Sequence, residues 1–101
     1  MIKEKLVEVR GYIATGWCKG MYMVDRNGKH TIDKSKACQW CLSGAIQMVT
    51  NDTVLQRDIE KAMDKTLSTH YDYAGGILNF NDGTSQEAVL AMLDRTIEDL
   101  Q

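Results

Sequence analysis

Apolar residues recur along the chain at spacings that mark its elements. Ile2, Leu6, Val9 and Ile13 follow one another at intervals of four, three and four. That period places them on one face of a helix, with Lys3, Lys5, Glu8 and Arg10 pointing elsewhere. The spacing predicts a first helix over about 2–14, stopped at Thr15-Gly16, where glycine can adopt the left-handed conformation of a helix end. Met21-Tyr22-Met23-Val24 is a short apolar run followed by Arg26-Asn27-Gly28-Lys29, and Asn-Gly is the pair that two-residue hairpin turns favour. A small hairpin is predicted, its second arm near His30-Thr31-Ile32. Two strands are marginal by themselves, so the hairpin must lie on helices.

Asp33 or Ser35 can cap the next helix. Ala37, Trp40, Cys41, Gly44, Ala45 and Met48 keep helical spacing, and the small residues among them let a neighbouring helix approach closely. This stretch is expected to form the central helix. Thr50-Asn51-Asp52 is cap-like, and Leu55, Ile59, Ala62, Met63 and Leu67 form the inward stripe of a third helix. From Ser68 to Gly83 no period holds, and Ile77-Leu78-Asn79-Phe80 reads as a buried extended segment. Long irregular stretches in compact domains are often functional. Thr84-Ser85-Gln86-Glu87 matches the capping box, opening a last helix with Val89, Met92, Leu93, Ile97 and Leu100 inward. The expected fold is α+β and mainly α: about four helices around a central small-residue helix, with one small β-hairpin.

The 101 residues suit a single domain spanning 1–101. A composition of 44% hydrophobic and 26% charged residues is that of an ordinary globular protein. No apolar run approaches the roughly 18 residues a membrane span needs. Met1-Ile2-Lys3-Glu4-Lys5 lacks the form of a secretory signal, so a cytoplasmic location is expected and membrane association is not. A net charge of −2 argues against non-specific nucleic-acid binding by the whole surface. The charges are unevenly spread, however. Residues 1–36 hold eight bases and four acids, whereas residues 37–101 hold four bases and ten acids. Such asymmetry can steer a charged partner, although two solvated faces that partly neutralise each other look the same.

Three cysteines are an odd number, and in a reducing compartment they are expected to be thiols. Cys38-x-x-Cys41 invites a zinc reading completed by Cys18 and His30 or His70, but these candidates are scattered singles and small buried hydrophobes are the simpler account. No metal or other cofactor is expected. A thiol nucleophile would join Cys18 or Cys41 with His30 or His70 and an orienting Asp82, yet nothing in the spacing compels it. Trp17 and Trp40 each stand beside a cysteine, where they can pack together or wall a pocket. Lys19, Arg26, Lys29, Lys34 and Lys36, with His30 and Tyr22 among them, form a basic patch around the hairpin that suits a phosphate or is merely solvated.

Three segments considered together are more specific. Gly16-Trp17-Cys18-Lys19-Gly20, then Trp40-Cys41-Leu42-Ser43-Gly44-Ala45, then Phe80-Asn81-Asp82 with Glu87-Ala88-Val89-Leu90 and Leu93-Asp94-Arg95-Thr96-Ile97 resemble a functionally uncharacterised family. It is a small-protein family of bacterial and bacteriophage genomes, with the motifs G-W-C-x-G, W-C-x-x-G-A and W-N-D. The resemblance covers nearly the whole chain and brings no activity with it. Phe80 stands where the family has Trp, which keeps an aromatic, and Cys38 belongs to none of the motifs. The resemblance implies a phage or mobile-element accessory role.

The motifs single out Trp17, Cys18, Gly20, Trp40, Cys41, Gly44, Asn81 and Asp82 as a binding pocket or packing cluster, expected to meet at the central helix. The functional expectation is a non-enzymatic protein that binds a host protein or associates with itself. Two alternatives stand beside it: nucleic-acid binding through the basic hairpin, and a small enzyme with a Cys/Asp site.

Overall fold

A computed structural model describes residues 2–100. They form five helices and a two-stranded antiparallel sheet, a mainly helical α+β arrangement. α1 (Ile2–Thr15) buries Leu6, Val9 and Ile13, the face its spacing predicts. β1 (Met23–Asp25) follows the 16–22 segment and pairs with β2 (Ala37–Trp40), Met23 opposite Trp40 and Val24 opposite Gln39.

The hairpin's second arm is therefore residues 37–40, not 30–32. The Asn27-Gly28 turn does form: the Asp25 carboxylate accepts from the amides of Asn27 and Lys29, and Gly28 has a φ of 81°. His30, however, contributes only an isolated bridge to Val24. Ile32 is 84% exposed, so a local arm would bury almost nothing, whereas β2 carries the Trp40 ring into the core. Burial of one large aromatic outweighs the shorter loop closure.

The same pairing shortens the second helix. α2 runs over Leu42–Val49, with Cys41 as its N-cap, so Ala37 and Trp40 belong to a strand instead. The backbone of Trp40 is engaged on both sides, its N–H donating to Gly16 and its carbonyl accepting from Cys18, which holds it extended. α3 (Thr53–His70) opens on Asp52, whose carboxylate accepts from Val54 and Leu55. Residues 77–80 are helical rather than extended: α4 (Gly76–Asp82) buries Ile77, Phe80 and Asn81, a three-and-four spacing too short to show a period in the sequence. α5 (Gln86–Asp99) is capped by Ser85, one residue later than the capping box implied, with its side chain accepting from Ala88.

α1 packs against α2, α3, α5 and β2, while α2 touches α1, α3, α4 and β2. The two helices thus share the centre. Gly44 shows why α2 needs small residues, since an added Cβ would lie 1.9 Å from the carbonyl oxygen of Tyr22. Arg10 pairs with Asp94 between α1 and α5. Among the described residues no helix is long and apolar enough to cross a membrane.

Candidate functional site

The segment between α1 and β1 returns along β2. Trp17 forms a parallel bridge to Trp40, and the approach is close because Gly16 has no side chain: a Cβ there would lie 2.2 Å from the Cys38 carbonyl. Behind this pair lies Asn81 of α4, fully buried. Its Oδ1 accepts from the Trp17 indole Nε1 at 2.9 Å and from the Leu42 amide at 3.2 Å. Its Nδ2 donates to the Cys18 carbonyl and to Asp82 Oδ1, both at 3.1 Å. Every hydrogen-bonding site of the amide is used, and two donors facing one end with two acceptors facing the other fix its orientation.

Asp82, the last residue of α4, continues the network. Its Oδ1 also accepts from the Gly20 amide at 2.9 Å, and Gly20 turns the chain there with a φ of 81°, a left-handed conformation that favours glycine. The Cys41 amide donates to the Tyr22 carbonyl, and Gly44 abuts the same carbonyl. The structure thus brings Trp17, Cys18, Gly20, Trp40, Cys41, Gly44, Asn81 and Asp82 together from three distant segments.

A cavity of about 460 Å³ opens beside this network. Cys41 and Asp82 line it, as do Gly20 and His30, and Met21, Tyr22 and Leu78 supply its apolar walls. Trp17, Cys18, Trp40, Gly44 and Asn81 are not in its lining; they hold it in shape. Sequence reasoning passed over the apolar walls, because Met21 and Tyr22 read as strand and Leu78 as part of a buried segment. Helical winding of α4 turns Leu78 outward while Ile77, Phe80 and Asn81 face in.

Burial pushes the Cys18 thiol up to about 11, with help from the nearby Cys41, Asp82 and Cys38. Burial also raises Cys41, as does the charge of Asp82, and backbone N–H donors of Gly44 and Ser43 offset part of that. Both are neutral thiols near pH 7. Cys18 donates to the Met21 carbonyl and Cys41 accepts from the Gly44 amide. A thiolate nucleophile needs an electropositive setting, and here the charge of a carboxylate, Asp82, acts on both thiols. His30 shares the cavity, but no side-chain hydrogen bond joins it to either thiol or to Asp82 among the described residues. His70 lies elsewhere, its Nε2 2.9 Å from Asp99.

Cys38 is exposed while Cys41 is buried, and among the described residues no group of three or more His, Cys, Asp or Glu is placed to hold a metal ion. The bases around the hairpin are differently engaged. Lys19 sits over the Trp17 ring at 5.9 Å and Lys34 donates to Asn51 at 2.7 Å. Arg26 and Lys36 line a second cavity, of about 450 Å³, that also contains Asp25. Lys29 follows the turn, its amide tied to Asp25.

Residues 2–99 match a family of unknown function (DUF6197). No curated protein and no solved structure matches the chain.

Proposed function

The chain belongs to that family, which hands it no activity, and we propose from the geometry that it is a non-enzymatic binding module acting on a protein partner. One observation carries this reading. Met21, Tyr22 and Leu78, exposed at 40%, 46% and 42%, meet at the mouth of one cavity whose floor and frame are rigidly hydrogen-bonded. Exposed apolar side chains gathered around a preformed cavity mark interaction sites. The chemistry inside supports binding over turnover, because the thiols are held neutral and the imidazole is not coupled to them.

The resemblance to bacterial and bacteriophage sequences supports an accessory protein of a phage or mobile element, with its partner in the cytoplasm of the host cell. Self-association is the second form of the same idea.

The test is affinity capture from that host with the intact chain and with Leu78→Gln, checking by circular dichroism that the variant folds. Capture of a discrete protein by the parent and its weakening with Leu78→Gln is the expected result. Turnover by the pure protein that is abolished in folded Cys41→Ala or Asp82→Ala would replace this reading with the enzymatic one. Binding to DNA or RNA that weakens steeply with salt and with Lys29→Ala would replace it with the nucleic-acid one.

A further inference from the structure

Among the described residues Asp82 is the only carboxylate lining the cavity, and no lysine or arginine lines it. Its Oδ1 is fixed by two donors, the Gly20 amide and the fully buried Asn81 side chain. The carboxylate is therefore held in one orientation, while no salt bridge joins it to a cation among the described residues. Lys19, which precedes Gly20 in the chain, lies over the Trp17 ring instead. Beside burial, the charge of Asp82 helps to keep protonated both Cys41, which lines the cavity, and Cys18, which does not.

An occupant that seals the cavity must dehydrate this carboxylate. The carboxylate is exposed in the empty cavity and has two donors on Oδ1, so an apolar or acidic occupant would take its water and supply no opposite charge, which is unfavourable. A basic side chain removes the difficulty, because its aliphatic stem suits apolar walls while its charged end forms a short charge-assisted bond. The ring of Tyr22 can add a favourable cation–π contact. We propose that the cavity receives a lysine or arginine side chain of the protein partner, its stem against Met21, Tyr22 and Leu78 and its charge on Asp82. This rests on the binding role above and names what that role recognises.

The test is selection of a random displayed-peptide library on the full chain, followed by affinity measurements on the synthetic peptides that emerge. Peptides that lose binding to Leu78→Gln, which removes an apolar wall without adding charge, are taken as bound at the cavity. They are expected to share a lysine or arginine, and replacing it by the uncharged norleucine or citrulline should weaken binding by about tenfold or more. Asp82→Asn, which keeps an oxygen for the Gly20 amide, should show a loss of similar size. The peptide replacements leave the protein untouched, so the result does not depend on how that variant folds. Cavity-bound peptides that contain no base, or that bind equally well after the replacement, would overturn the basic anchor and leave the binding role standing. A selection yielding no peptide sensitive to Leu78→Gln would overturn both.

Discussion

Where α3 meets α5, one polar pair lies in apolar packing: Thr96 donates to Thr66 at 2.8 Å, among neighbours such as Met63, Met92 and Leu93. Where the 16–22 segment meets α4 the balance is reversed, and a single amide, Asn81, ties the indole of Trp17, the amide of Leu42 and the carbonyl of Cys18 to one place. The first region is held by apolar area, which tolerates small changes in geometry. The second is held by a polar network and by backbone approaches that only glycine permits. Apolar burial can be distributed over many residues, whereas a satisfied polar network fails as a unit.

Asn81→Leu should show this difference most strongly. It strands the Trp17 indole N–H and the Leu42 amide, each at about 1–3 kcal/mol, for a loss of roughly 4 kcal/mol in urea unfolding. Thr96→Val, in the helical region, should cost only about 1 kcal/mol, because Thr66 keeps its own bond to the Ala62 carbonyl. Both tryptophans lie in the polar region, so fluorescence reports it while circular dichroism reports the helices. In Asn81→Leu the fluorescence transition should precede the other; coincident transitions would show that the regions are not separable.

Gly44→Ala is expected to cost about 3 kcal/mol, since its Cβ would meet backbone that cannot swing aside. Gly11→Ala is the contrasting change. Gly11 sits exposed in α1 with nothing within 4 Å of an added Cβ, so alanine should stabilise by about 0.5–1 kcal/mol. Capping gives a smaller effect: Ser85→Ala should cost about 1 kcal/mol and Thr84→Ala a few tenths, which thermal unfolding resolves.

The gentlest probe is alkaline titration. The unfolded Cys18 thiol ionises near 9.0 and the folded one near 11. Below pH 9 both states are neutral and stability is complete; between 9 and 11 only the unfolded chain ionises, so stability falls. Cys18→Ser should flatten this slope, and alkylation at pH 8 should reach exposed Cys38 well before Cys18 or Cys41.

The helical region was largely legible in the order of residues. The stripes of α1, α3 and α5 repeat over enough turns for their period to stand out, and the inward residues Leu6, Val9, Ile59, Met63, Val89 and Leu93 are all fully buried. The polar region was legible in its residue types but not in its shape. The Trp-Cys, Gly and Asn-Asp segments drew attention to Trp17, Trp40, Asn81 and Asp82, while the second strand, the start of α2 and the helicity of α4 did not follow. Met21 and Leu78 gave no signal as cavity walls, since an apolar residue in a short run carries no mark of whether it faces in or out.

Sequence alone determined the helical faces and the Asn27-Gly28 turn, because each depends on neighbours a few positions away. Only the tertiary structure decided that residues 37–40 pair with β1, that one buried amide joins segments some sixty positions apart, and that Asp82 lines a cavity to which, among the described residues, no lysine or arginine contributes. Those outcomes depend on which distant groups satisfy one another once water has been excluded, a competition that no local spacing records.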